Sequence, residues 1–176
     1  MEKPLILRMT SLALALAIAT PAAWAHGNEK HPPKQIEAGR ETAGAEQTVP
    51  PEAADAVAVL ERFSTALSTG DLDAVGANLD PTVLILESGG AERTRDEYLG
   101  GHAKHDAAFL NAAHITLKRR TAQASGDLVW VGSESEIHAI KDDKMLMISS
   151  TETAVLRKTA QGWKIVHLHW SSRAQR

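Results

Sequence analysis

Gly162-Trp163-Lys164-Ile165-Val166-His167-Leu168-His169-Trp170-Ser171-Ser172 is the stretch on which the fold turns. Successive side chains of a strand point to opposite faces, so Trp163, Ile165, His167, His169 and Ser171 form one set and Val166, Leu168 and Trp170 the other. Both sets are bulky, which predicts a strand at least partly covered on both sides. A turn of Ala160, Gln161 and Gly162 precedes it, and two turns of the same grade, Lys141-Asp142-Asp143 and Ser125-Gly126-Asp127, lie upstream. They separate four predicted strands at His114–Gln123, Leu128–Ile140, Met145–Arg157 and Trp163–Ser172. Connections this short cannot cross over a sheet, so neighbouring strands run antiparallel.

Before Ala113 the apolar period changes to that of helices. Pro51 and Glu52 open the first, with proline where its missing donor costs nothing, and Val57, Leu60, Phe63 and Leu67 mark its buried stripe. Gly70 stops it. Asp71 caps a short second helix carrying Leu72, Val75 and Leu79, ended by Asp80-Pro81. Val83–Glu87 reads as a strand and Ser88-Gly89-Gly90 as its turn. Thr94 and Glu97 form a capping box for a third helix bearing Tyr98, Leu99, His102, Asp106, Phe109 and Leu110. The expected fold class is α+β: a curved antiparallel sheet forming a cone over three N-terminal helices.

The N-terminus reads differently. Glu2, Lys3 and Arg8 are followed by the apolar run Thr10–Thr20, the breaker Pro21 and the small residues of Ala23-Trp24-Ala25. This is the pattern of a secretory signal over 1–25, with cleavage expected before His26 and a periplasmic or secreted location. Residues 26–50 are polar and hold only Ile36 and Val49 as sizeable apolar side chains. Such a stretch cannot offset its ordering entropy, so it is expected to be a disordered linker to a domain spanning 51–173. The full chain of 176 residues carries a net charge of -3 and no cysteine. That excludes disulfides and thiolate chemistry, and no basic face for nucleic acid is expected.

The closing strand motif, with the opening helices and the Glu87-Ser88-Gly89-Gly90 turn, resembles the nuclear-transport-factor-like superfamily. The likeness is strongest to its SnoaL-like branch and to the association domain of calcium/calmodulin-dependent kinase. It runs from about Glu52 to Arg173. The resemblance implies a cone that dimerises through its sheet and a pocket between helix and sheet. It does not imply one reaction: members include isomerases, dehydratases, cyclases and epoxide hydrolases, and others only bind or assemble. It also implies that a His-x-His pair on the last strand needs no metal, since the kinase association domain carries a similar one.

Several residues are candidates for chemistry. His102 and Asp106 lie four apart on a helix and share a face with Leu99, Phe109 and Leu110, so an inward imidazole–carboxylate pair is expected; a surface ion pair is the alternative. His167 and His169 lie two apart on a strand, a spacing compatible with shared metal ligation. Glu152 stands in an otherwise apolar and hydroxyl strand and needs a buried partner or water; a histidine or Arg173 is the candidate partner. Glu87 ends the first strand, and Glu134, Glu136 and His138 share a strand face. The expected catalytic set is therefore His102, Asp106, His167 and His169, with Glu87, Tyr98, Glu152 and Arg173 as ligand contacts.

No cofactor motif is present, so proton abstraction, dehydration or isomerisation on a small organic molecule fits better than redox chemistry. Two other classes stay open. A metal-binding protein would use His102, Asp106, His167 and His169, or a copper-chelating tail in which His26 offers a free amine beside its imidazole, with His31 nearby. A homodimeric assembly module would need no ligand at all.

Overall fold

The computed structural model describes residues 36–175. A 3-10 turn at Pro51–Ala53 leads into α1 (Ala54–Thr69), followed by α2 (Leu72–Asn78) and β3 (Leu79–Glu87). The expected buried stripe of α1 is in place: Leu60, Phe63 and Leu67 are at most 2% exposed. Asp71 caps α2 through its carboxylate, which accepts from the Ala74 N–H at 3.0 Å.

Two short strands precede the helices, β1 (Gly39–Glu41) and β2 (Glu46–Thr48), both parallel to β5 (His114–Ser125). Within the described part, residues 36–50, the linker expected over 26–50 thus carries two short strands. Backbone pairing to an open sheet edge needs no apolar pattern, so composition could not show it. The expected signal segment at 1–25 lies outside the described residues.

The main sheet is the predicted meander of β5, β6 (Leu128–Lys141), β7 (Lys144–Thr159) and β8 (Gly162–Ala174), all antiparallel. Beyond β8 the order continues through β3 to β4 (Gly90–Glu92). β3 runs parallel to β8. The eight-stranded sheet is thus mixed and open rather than wholly antiparallel. Its geometry is nevertheless the expected α+β cone, with helices on the inner face.

The third helix departs from expectation. Gly100-Gly101 breaks it into α3 (Arg95–Gly100) and α4 (His102–Asn111), with Gly101 at φ −121° and ψ −103°. The capping box holds at its start: Thr94 accepts from the Glu97 N–H at 3.1 Å, and Glu97 accepts from the Arg93 N–H at 2.8 Å.

A bulge in β8 decides which residues face inward. Val155 pairs with His167 but Leu156 pairs with Ile165, leaving Val166 as the extra residue. Trp163 and Ile165 therefore share the inner face with Leu168 and Trp170, which all pack in the core. Strict alternation had put them on opposite faces. A second bulge at Lys118 brings Arg120 inward after Leu117, and both are buried.

Candidate functional site

Helices α1 and α4, with the inner face of the sheet, enclose a cavity of about 160 Å³. Phe63, Leu67, Phe109, Leu110, Ile115 and Ile137 supply its apolar wall. Ser133, Ser135, Ser150 and Ser172 alternate inward from β6, β7 and β8 and line the sheet side with hydroxyls. Four charged residues also reach it, each from a different element: Arg40 from β1, Glu87 from β3, Asp106 from α4 and Glu152 from β7.

Asp106 is held by Tyr98, whose buried phenol donates to Oδ2 at 2.9 Å. Burial pushes the Asp106 carboxyl above its ordinary value, outweighing the Tyr98 hydrogen bond and the nearby His102. Burial, with Asp106 beside it, also drives the Tyr98 phenol upward, so it stays protonated and acts as a donor. Glu87 is raised as well, first by burial and then by the charge of Asp106. Two carboxyls on the cavity wall therefore hold protons more tightly than free carboxyls do.

Elsewhere on the wall the Trp170 indole N–H donates to Glu152 at 2.9 Å, and its ring stacks near Phe63 with centroids 6.3 Å apart. The partner of Glu152 is thus an indole N–H, not the histidine or Arg173 expected. Burial lowers the Arg40 guanidinium from its ordinary value, and Glu152 opposes that by favouring the charge. Among the described residues Arg40 makes no ion pair within 4.0 Å. Beneath it lies Arg120, fully buried, donating from Nη1 to Glu61 at 2.8 Å and from Nε to Ser133 at 3.3 Å.

The predicted set divides cleanly. Asp106, Glu87 and Glu152 line the cavity, and Tyr98 supports Asp106 from behind. His102 is half-exposed and pairs with Glu92, not Asp106. The helix break sets it at the start of α4, over the β3–β4 hairpin, where it also lies 3.5 Å from Glu87. His167, His169 and Arg173 leave the site altogether. Leu168, Trp170 and Ser172 take the inner positions of β8, so these three alternate to the outer face, where His167 donates from Nδ1 to the Leu84 carbonyl at 2.8 Å. The four-residue metal set of His102, Asp106, His167 and His169 is thus not assembled, because the sheet separates its members. His26 and His31 of the copper-chelating alternative lie outside the described residues.

Two residues escaped the sequence reading. Arg40 had no signal, since its strand is three residues of plain polar chain. Glu92 had one. Ser88 and Gly89 both adopt positive φ, 45° and 84°, the turn that closes a two-residue hairpin. Such a hairpin pairs Glu87 with Gly90 and Ile85 with Glu92, so Glu92 must face inward alongside Glu87.

A SnoaL-like domain family profile matches residues 56–175. No curated protein shows a significant match. Among solved structures, one from Shewanella frigidimarina, provisionally assigned as a ketosteroid isomerase, is 34% identical with a TM-score of 0.64, covering 72% of this chain and all of its own. The CaMKII hub of S. rosetta is 25% identical with a TM-score of 0.59, covering 71% of this chain and 98% of its own. A nuclear transport factor 2-like protein from Salmonella enterica, 18% identical with a TM-score of 0.59 and covering 69% and 91%, shares the fold.

Proposed function

The chain belongs to the SnoaL-like domain family, and from that premise we propose that its cavity binds a small organic acid and exchanges protons with it. The observation that carries this reading is the meeting of Arg40 with Asp106 in one small cavity. The guanidinium offers a planar fork for a carboxylate. Asp106, desolvated and oriented by Tyr98, holds a proton more tightly than a free carboxyl, the direction a group that abstracts and returns a proton needs. The size favours a small ligand: an enclosed cavity of about 150 Å³ takes one benzene, so a ligand on the order of ten heavy atoms is the one considered.

The direct test compares small carboxylates, benzoate among them, with their neutral amides by calorimetry. Carboxylates should bind and amides should not, and Arg40→Ala should remove the difference; equal binding of both would exclude the anion site. Proton transfer is tested with a small oxo acid in deuterated water. Exchange at the carbon beside the carbonyl should vanish in Asp106→Asn while binding persists, whereas unchanged exchange would remove Asp106 from the role.

The same proposal includes export: a signal at 1–25 cut before His26, and a mature chain whose domain spans 51–173 with the β1–β2 arm attached. Mass spectrometry of the periplasmic fraction should find His26 first, and an intact Met1 would contradict it. Among the described residues no helix is long and apolar enough to cross a membrane.

A homodimer is the remaining part, and one observation favours it. Leu128 and Trp130 at one end of the outer face of the sheet, and Ile140, Met145 and Met147 at the other, are each at least 36% exposed. A second copy covering that face would remove an apolar patch of a kind that marks interaction surfaces. Light scattering should give a dimer that Trp130→Glu dissociates. A wild-type monomer at micromolar concentration would end this reading.

A further inference from the structure

The β3–β4 hairpin and the start of α4 bring together three side chains that the proton-transfer reading does not use as a unit: Glu87, Glu92 and His102. One ligand atom from each lies within 4.8 Å of the other two. Two donors that each bind one ion at about 2.1 Å in tetrahedral geometry stand about 3.4 Å apart. The His102 Nδ1 to Glu87 separation of 3.5 Å matches that edge, while Nδ1 and Glu92 Oε1 are in direct contact and must part to admit an ion between them.

Glu92 supplies an independent sign. Its side chain is 7% exposed, yet its Oε2 has no hydrogen-bond partner among the described residues. A buried carboxylate oxygen left unpaired is costly unless a cation or water completes it. Glu87 and Glu92 both lie within 4.0 Å of the one imidazole, so carboxylates outnumber it. Backbone shape contributes too. A Cβ at Gly90 would crowd the Glu87 carbonyl at 3.3 Å, and the His102 ring lies in ordinary contact distance of the same position at 3.9 Å, so the ring packs over this turn.

We propose that Glu87, Glu92 and His102 form a binding site for a divalent transition-metal ion, Zn²⁺ in the first instance. A mixed set of one imidazole nitrogen and two carboxylate oxygens suits Zn²⁺ better than Ca²⁺ or Mg²⁺, which favour all-oxygen shells. Three protein ligands leave a fourth position open. Glu87 belongs both to this set and to the cavity wall, so the open position adjoins the ligand space.

The test uses the processed chain with His26→Ala and His31→Ala, which silences the tail, stripped of metal and titrated with Zn²⁺ and Co²⁺. One ion per chain should bind, with the intense visible absorption of four-coordinate Co²⁺. His102→Ala should weaken affinity by more than about 100-fold, beyond the loss typical of a ligand's supporting partners. Half-exposed His102 is a safe site to truncate, and Glu92→Gln provides a second variant, with thermal melts confirming folding. His167→Ala on the outer face should leave affinity within about twofold. Absence of stoichiometric binding, or equal losses in His102→Ala and His167→Ala, would overturn the site and leave the anion pocket untouched.

Discussion

The two faces of the sheet use the same pair of groups, imidazole and carboxylate, to opposite effect. On the outer face His138 and Glu136 sit 2.9 Å apart in contact with water, and that hydrogen bond holds the Glu136 carboxyl below its ordinary value. Facing the helices, Glu87 and Asp106 also lie near an imidazole, His102, yet both carboxyls are raised because burial outweighs it. A nearby histidine therefore says little about a carboxylate until its solvent exposure is known. The outer pair is held by attraction alone. Inside, desolvation stores proton affinity that a ligand can draw on.

The sharpest break between the faces should come from adjacent residues of β8. Leu168→Ala leaves a hole in a fully buried site and should cost about 3–4 kcal/mol, read by chemical denaturation. His167→Ala, one residue away on the outer face, should cost under about 1 kcal/mol, the value of its single hydrogen bond to Leu84. Similar losses would mean that the outer face is buried against something in solution.

A smaller effect is expected from Trp170→Phe, which keeps the ring near Phe63 but removes the N–H bound to Glu152. About 1.5 kcal/mol should be lost, as for a hydrogen bond to a charged group.

Titration distinguishes the environments by sign. Asp106 is raised in the folded state, so its contribution is fully present below the ordinary value of 3.8 and is lost as pH rises toward the folded value. Asp106→Asn should remove that decline, and stability measured between pH 3 and pH 8 should fall less steeply on its alkaline side. Asp80 behaves oppositely. The Thr82 side chain and N–H, both 2.7–2.9 Å from its carboxylate, hold it low, with Arg157 adding to the effect. Its stabilisation is present above 3.8 and is lost as pH falls through the folded value, so Asp80→Asn should flatten the acid limb instead. The smallest change should follow Arg119→Ala: its ion pair with Glu46 spans 2.8 Å but both side chains are more than half exposed, and under about 0.5 kcal/mol should be lost.

The strands of the meander could be read directly because each is bounded by turn residues whose chemistry is local. Asp142 and Asp143, both at positive φ, close one hairpin where the chain placed them. Asp106 and Glu152 were legible as candidates for a similar reason, since each stands among apolar residues on its own element. The bulges at Lys118 and Val166 were not. An extra residue is defined by what the neighbouring strand pairs with, and that information lies across the hairpin rather than in the strand itself. The misplacement of His167 and His169 relative to Trp163 and Ile165 follows from that alone. The third helix was read straight through Gly100-Gly101, but His102 and Asp106 both lie in α4, so it was Glu92, from the hairpin, that took the imidazole. Two adjacent glycines are costly in a helix interior, so the break had a sequence signal, whereas the arrival of Glu92 opposite it required the hairpin register as well.

One consequence follows from the way Arg40 reaches the cavity. The arm that carries it is joined to β5 by two ladders of three residue pairs each, at the outermost edge of the sheet. So few backbone bonds at an edge open at low free energy, well before the domain as a whole unfolds. Each opening withdraws the guanidinium and unlatches one wall. An anion bound to Arg40 must then resist that opening by RT ln(1 + [L]/Kd), so occupancy of the interior is written into the amide exchange of residues 39–48. Protection of those amides, rising with ligand concentration while the α1 core stays unchanged, would report on the site without any need to observe the ligand itself.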